Sequence, residues 1–320
     1  MSARPTEDIP APTAAAIHRT MTAGEWGLLV ALAVLWAGSY LYVGVAVKAV
    51  PPFSLVAFRV GLGALLLYLC VRASGARMPR DARAWRVFFT MGVMNNVIPF
   101  SLIAFGQEQV PVGLASILNA TTPLFTVVIA HFMTRDEKLS PLKLAGVVIG
   151  FLGVVILIGP DALKDAGSYL LYELAPLLAA VFYALSAIYG RRASKLGVAP
   201  LAAATGQITA AAVIMVPLAL ITEHPWTLPM PGWDVWASLI ALAALSTTVA
   251  YIIFYRVLAT AGSVNLMLVT FMVPIGAVIL GALVLGERLA PNQFLGMAAI
   301  GIGLAAIDGR LFRLLRRQTA

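Results

Sequence analysis

The sequence predicts an all-α polytopic membrane protein: ten transmembrane helices arranged as two inverted five-helix repeats, with both termini cytoplasmic. Three observations carry this expectation. First, 61% of the 320 residues are hydrophobic and only 11% are charged, with a mean hydropathy of +0.92; a soluble domain carries about 25% charged residues. Second, apolar runs of about 20 residues recur along the chain, each able to cross about 30 Å of hydrocarbon as a helix. Helix is the expected form because a segment in lipid must satisfy its own backbone hydrogen bonds. Third, a stretch beginning at Asp136 returns near the C-terminus at an offset of 150 positions.

The spans are placed, in order, at 26–47, 52–72, 84–106, 112–133, 141–160, 169–190, 199–221, 233–256, 262–285 and 291–309. Pro52, Pro141, Pro200 and Pro291 fall at span starts, where a missing N–H costs nothing. Residues 1–25 hold proline and acidic residues without an apolar centre, so they read as a disordered cytoplasmic tail rather than a signal peptide. Residues 26–160 and 161–309 form the two repeats. Residues 310–320 include "RLFRLLRR", a basic amphipathic end suited to the anionic inner leaflet.

Orientation follows from Lys and Arg. Eighteen of the 22 lie in the two tails and in alternate loops, including Arg72, Arg77, Arg80, Arg83 and Arg86. The other loops carry only Lys48, Lys164 and Arg288, and Arg59 alone lies inside a span. The positive-inside rule puts both termini in the cytoplasm. The net charge of +8 therefore belongs to membrane-flanking loops, and nucleic acid is not an expected partner. The single cysteine, Cys70, excludes an intramolecular disulfide and a CxxC metal site.

The repeat is specific at the residue level. "DEKLSPLKLAGVVIGFLGVVIL" from Asp136 lies over "GERLAPNQFLGMAAIGIGLAAI" from Gly286, matching Glu137 to Glu287, Lys138 to Arg288, Pro141 to Pro291, Gly146 to Gly296 and Gly153 to Gly303. One further position of offset places Pro123 on Pro274 and Asn119 on Thr270. Five spans per half is an odd number, so the halves are inverted, an arrangement that favours a transporter with its site near the midplane between them.

These paired stretches, with "WAGSYLYVGVAVKAVPPFSLVAFRVGLGALLLY" from Trp36, resemble the paired EamA modules of the drug/metabolite transporter superfamily over nearly the whole chain from residue 26. The resemblance implies ten helices, inverted halves and export of small organic metabolites across the bacterial inner membrane. Within the family the chain looks most like exporters of aromatic and other apolar amino acids.

The candidate substrate site is the polar and aromatic face of several spans. The fourth span, which contains "LNATTPLFTVVIA" from Leu118, sets Ser116, Asn119, Pro123 and Val127 on one helical face, and Met267, Thr270 and Pro274 do the same in the ninth span. Unpartnered polar groups are costly in hydrocarbon, so these faces should meet protein or a wet cavity. Each proline frees a carbonyl one turn earlier, at about Asn119 and Thr270, and can kink the helix. Freed carbonyls are candidate partners for a ligand ammonium; simple helix packing is the alternative. Trp36, Ser39 and Tyr40 form a stripe in the first span, mirrored by Tyr183 and Ser186 in the sixth. Asn95, Asn96 and Pro99 interrupt the third, and Ser246, Thr247, Thr248, Tyr251 and Tyr255 the eighth. The expected substrate-binding set is Trp36, Ser39, Tyr40, Asn95, Pro99, Asn119, Pro123, Tyr183, Ser186, Thr247, Tyr251, Thr270 and Pro274, in which aromatic rings stack on an apolar side chain.

Charge chemistry narrows the alternatives. Arg59 either holds a substrate carboxylate or has a structural role, snorkelling outward or pairing with Glu108; the structural role is preferred. Glu108 and Glu173 are expected to be solvated at outer helix ends. No Asp or Glu falls at midplane, which disfavours a cationic-drug exporter and leaves downhill export and proton exchange both open as couplings. Purine or sugar-containing metabolites remain the alternative cargo. The three histidines have no partner at metal spacing, and HExxH, GxSxG and phosphate-loop motifs are lacking. An intramembrane enzyme is disfavoured, and neither a cofactor nor a metal is expected. The expected partners are a small-molecule substrate and membrane lipid, with the chain a monomer or homodimer. Gly146, Gly150, Gly296, Gly301 and Gly303 mark the fifth and tenth spans as close-packing elements, within one chain or between two.

Overall fold

A computed structural model of the chain describes residues 21–134, 138–159, 168–193 and 197–308. Residues 1–20 of the first tail, the whole of the second, Glu137 and Lys164 lie outside the described residues. Among the described residues all regular structure is helical. We label the α-helices α1 Ala23–Ala46, α2 Pro52–Ala73, α3 Ala82–Gly92, α4 Ile98–Gly106, α5 Val112–Asn119, α6 Thr122–Met133, α7 Pro141–Ile158, α8 Ser168–Ala193, α9 Pro200–Thr222, α10 Trp233–Ala243, α11 Ala250–Leu266, α12 Val269–Leu285 and α13 Pro291–Asp308. Among the described residues, eight helices or successive helical segments are long and apolar enough to cross a membrane, and α12 is a shorter apolar helix. Their outer surface is apolar: Ile221 and Leu283 are 72% and 80% exposed. The chain is a multi-pass membrane protein.

Helix boundaries follow local chemistry. α2, α7, α9 and α13 each begin on the proline that the sequence placed there. α1 begins three residues before the expected span, because Thr22 and Glu25 close a capping box: the Glu25 N–H donates to Thr22 Oγ1 and the Thr22 N–H to Glu25 Oε2. α12 ends on Gly286, whose φ of 69° a side chain would disfavour. The next N–H, from Glu287, then returns to Gly281 O at 3.1 Å, satisfying a carbonyl of the last turn.

Two expected spans are interrupted rather than merely kinked. The fourth divides at Ala120–Thr121, between α5 and α6. The ninth is preceded by non-helical Gly262 (φ 78°) and interrupted at Met267–Leu268, leaving Pro274 inside continuous α12. The break thus lies just before Pro123 in one case and nearly two turns before Pro274 in the other. The third and eighth expected spans instead carry a widened π-helical segment, Val93–Val97 between α3 and α4 and Ala244–Val249 between α10 and α11.

α7 and α13 pack along their full lengths. The glycines explain the approach: a Cβ on Gly303 would lie 2.7 Å from Gly150 N, and one on Gly153 2.8 Å from Gly296 O. This small-residue seam lies within one chain, while Gly301 has open space around it. Elsewhere α2 packs on α9, α1 on α10, α11 and α12, and α4 and α6 on α8. Two apolar clusters result, one centred on α1, α5 and α12 with Leu32, Leu118 and Val273, the other on α2, α9 and α10 with Leu55, Ile208 and Leu239. Tyr183 of α8 packs against both, and the polar cluster described next lies at this junction.

Candidate functional site

The π-helical segments deliver the polar side chains. A π turn opens the helix by one residue and occurs frequently at functional sites. In the second segment the Thr247 and Thr248 hydroxyls donate to carbonyls five residues back, Leu242 O at 2.9 Å and Ala243 O at 3.0 Å, while the Ser246 hydroxyl donates to Leu35 O of α1 at 2.7 Å. In the first, Asn95 and Asn96 project toward α8, α9 and α11. Asn95 Nδ2 and Asn96 Nδ2 both donate to the Tyr251 hydroxyl, at 3.2 and 2.8 Å. Ser186 Oγ donates to Asn95 Oδ1 at 2.9 Å. Gln207 Nε2 of α9 reaches Asn96 Oδ1 at 2.6 Å and the Tyr251 hydroxyl at 3.3 Å.

A second group adjoins this one. Asn119 Nδ2, at the end of α5, donates to the Tyr40 hydroxyl at 2.8 Å, while Asn119 Oδ1 is buried without a hydrogen-bond partner. Arg59 of α2 is 6% exposed; its Nε donates to Thr247 Oγ1 at 3.0 Å and its guanidinium stands 3.5 Å from the centre of the Phe100 ring. The hydroxyls of Tyr40, Tyr183 and Tyr251 all lie within electrostatic reach of that guanidinium. Seven helical segments thus contribute to one buried polar and aromatic cluster that joins the first half of the chain to the second.

The structure gathers Tyr40, Asn95, Asn119, Tyr183, Ser186, Thr247 and Tyr251 of the expected set. Trp36 borders the cluster, tilted against Phe254 at a centroid distance of 5.7 Å, with half-buried Ser39 on the same helix. Pro99 and Pro123 are buried beside the segments they interrupt. Thr270 and Pro274 stand apart: the Thr270 hydroxyl donates to Met267 O at 2.7 Å, capping its own helix break.

Three further expectations need correction. The carbonyl that Pro123 frees at Asn119 is not left for a ligand, because the Thr122 hydroxyl donates to it at 2.7 Å. Arg59 neither snorkels nor pairs with Glu108, since Phe100 and Thr247 hold it inside while Glu108 is exposed in the α4–α5 turn. Glu173 is buried rather than solvated, 3% exposed with Oε2 unpartnered, because α8 begins at Ser168 and packs its first turns against α4. Sequence reasoning named Asn96, the fully buried member of its pair, without placing it in the binding set, and passed over Gln207. The available signal for Gln207 was its place as the one amide in an otherwise small-residue stretch, "AAATGQITAAA".

Two carboxylates tie the halves together at the Arg-poor end of the bundle. Glu223, just past α9, accepts from Phe53 N at 3.0 Å and Ser54 N at 2.6 Å at the start of α2. Glu287, just past α12, accepts from Val112 N at 2.7 Å and Gly113 N at 3.1 Å at the start of α5. Both satisfy orphan N–H groups at the positive end of a helix. Burial, and then the charge of Glu223, push the Glu108 carboxyl above its usual range. A cleft of about 360 Å³ opens beside Glu287, Gly113 and Phe294, at this end rather than at the central cluster. Among the described residues no three His, Cys, Asp or Glu converge as a metal site would require.

The sequence profile of the EamA-like transporter family matches residues 25–159 and again 170–307. The chain belongs to the EamA-like transporter family. Among similar EamA proteins are an uncharacterized transporter, YoaV, of Bacillus subtilis, 24% identical over 86% of this chain and 94% of its own length, and an uncharacterized inner membrane transporter, YedA, of Escherichia coli K12, 25% identical over 86% and 87%. A solved crystal structure of a protein shares the fold, with a TM-score of 0.64 at 21% identity, covering 94% of this chain and all of that one. This EamA chain is therefore a membrane transporter, and the central cluster is its candidate site.

Proposed function

We propose that the protein exports small organic metabolites across the bacterial inner membrane, with aromatic or other apolar amino acids as its cargo, by alternating access between two inverted five-span repeats. In this reading ten spans cross the membrane, both termini are cytoplasmic, and the Arg-poor end faces outward. The observation that carries it is the buried polar and aromatic cluster where the halves meet. Buried polar groups in a membrane protein are costly and mark substrate pathways, and here seven segments converge on one such group. Trp36, Tyr183 and Phe254 offer faces for an apolar side chain, and Asn119 Oδ1, sealed and unpartnered in this conformation, becomes an acceptor for an ammonium when the cluster opens.

Alternating access needs the halves to separate at one end while staying joined at the other. The Glu223 and Glu287 ties supply a bond of that kind at the outward end, so the geometry fits an outward-closed state.

Counterflow in proteoliposomes tests the reading. Vesicles preloaded with unlabelled Phe, Tyr, Trp, Leu or Met should accumulate the labelled counterpart, and repeating the assay with an imposed proton gradient reads the coupling. Exchange of purine or sugar-containing metabolites, with no amino acid exchanging, would leave a transporter but remove the amino-acid cargo.

A further inference from the structure

Arg59 is the only formal charge in the central cluster, and nothing among the described residues neutralises it. It lies seven residues beyond Pro52, about 10 Å along the helix from its start. Glu223 spans the N–H groups of Phe53 and Ser54, Glu108 is exposed in its turn, and no carboxylate, the buried Glu173 included, is among the groups acting electrostatically on Arg59. The groups around the guanidinium are neutral, namely Phe100, Thr247 and the hydroxyls of Tyr40, Tyr183 and Tyr251.

The way it is held leaves one edge uncommitted. Phe100 covers one face of the plane and Thr247 takes Nε, while the two terminal nitrogens make no hydrogen bond among the described residues. Neither nitrogen is among the sealed atoms that lack a partner, so each keeps some accessible surface. Thr247 is itself fixed, its hydroxyl donating to Leu242 O within the π segment. The result is a planar fork, braced on one face and at its root, with its outer N–H groups free. That fork matches a carboxylate in bidentate geometry. A cation buried in a span without its counter-ion is expensive unless a ligand supplies the charge.

We propose that Arg59 is the receptor for the substrate's carboxylate. This rests on the cluster being the transport site, and it narrows the cargo to molecules that carry a carboxylate beside an apolar body. Decarboxylated amines of the same shape are excluded, because their ammonium would face the guanidinium. Phe100 and Thr247 act as positioning residues for the fork.

The test uses the purified full-length protein, with three probes that separate the charges: L-phenylalanine, phenylacetate, which keeps the carboxylate and lacks the ammonium, and phenethylamine, which keeps the ammonium and lacks the carboxylate. Thermal unfolding in detergent reads binding, and inhibition of labelled phenylalanine counterflow reads transport. The two carboxylates should raise the melting temperature of the wild type and phenethylamine should not. Arg59→Gln should abolish that shift, and Arg59→Lys, which keeps the charge but loses the fork, should weaken the apparent affinity at least tenfold. The lysine variant also serves if the glutamine variant does not fold.

The proposal is overturned if phenethylamine stabilises as well as phenylacetate, if Arg59→Gln keeps the carboxylate shift, if neither carboxylate shifts the wild type, or if chloride alone produces the shift. The outcomes separate from the cargo reading. Arg59-dependent binding of phenylacetate with no amino-acid exchange keeps the receptor and removes the amino-acid cargo. Undiminished phenylalanine counterflow in Arg59→Gln keeps the cargo and removes the receptor.

Discussion

Glu287 offers the sharpest test of how the two halves are held together. Its carboxylate accepts from Val112 N at 2.7 Å and Gly113 N at 3.1 Å, two N–H groups that the first turn of α5 cannot satisfy internally. Hydrogen bonds to a charged group contribute roughly 1.5–3 kcal/mol each, so Glu287→Ala should cost about 3–5 kcal/mol once partial rehydration of the freed N–H groups is allowed for. Glu287→Gln keeps one acceptor oxygen but turns an NH₂ toward the other donor; about 2–3 kcal/mol is expected. At roughly 2–4 °C per kcal/mol, the alanine variant should melt on the order of 10 °C lower in detergent. A second route reaches the same interaction: a Cβ on Gly281 would collide with Glu287 Oε2. Gly281→Ala should therefore lower the melting temperature in the wild type and add little in the Glu287→Ala background, the non-additivity expected of residues in one interaction. An unchanged melting temperature for Glu287→Ala, or full additivity in the double variant, would refute the tie. Under the transport reading the same loss also depopulates the outward-closed state, by about tenfold for each 1.4 kcal/mol that the state alone enjoys.

Tyr251→Phe removes the hydroxyl on which Asn95, Asn96 and Gln207 converge, and about 2–4 kcal/mol of destabilisation should follow from amide donors left buried without an acceptor; denaturant titration of the purified protein checks it. Gly303→Ala places a Cβ against backbone atoms of α7 and should cost about 1–3 kcal/mol as the seam opens, whereas Gly301→Ala, which meets nothing within 4 Å, should melt like the wild type. Trp36→Ala and Asn119→Ala should each reduce counterflow severalfold while membrane abundance on immunoblots stays normal; normal transport in both would remove the central cluster as the site.

How much was legible beforehand differed by type of feature. Span positions were readable because hydropathy over 20 residues is a property of the segment alone, and helix starts at Pro52, Pro141, Pro200 and Pro291 were readable because a proline acts on its own backbone. The small-residue faces of α7 and α13 were likewise written in Gly146, Gly153, Gly296 and Gly303. Half of the central cluster was visible as polar residues at helical spacing. The rest was hidden for a physical reason. Whether Asn119 leaves its carbonyl free depends on the rotamer of Thr122, and whether Arg59 snorkels depends on Phe100, some forty residues away, arriving to cover its face. Gln207 gained its role only when α9 met the π segment that carries Asn96.

The apparent equivalence of Pro123 and Pro274 shows the same limit. The sequence aligned them, yet the chain breaks at Ala120–Thr121 in one case and at Met267–Leu268 in the other, because a helix in a bundle yields where its neighbours allow it to. By itself, then, the sequence determined the class of protein, the helix starts at its prolines and the polar content of several helix faces, all of which rest on local propensity and transfer into lipid. Only the tertiary structure decided which polar groups partner one another, which charge is left without a counter-ion, and which glutamates bind the two halves. Those are properties of pairs far apart in the chain, and a pair has no energy until packing brings it within hydrogen-bonding distance.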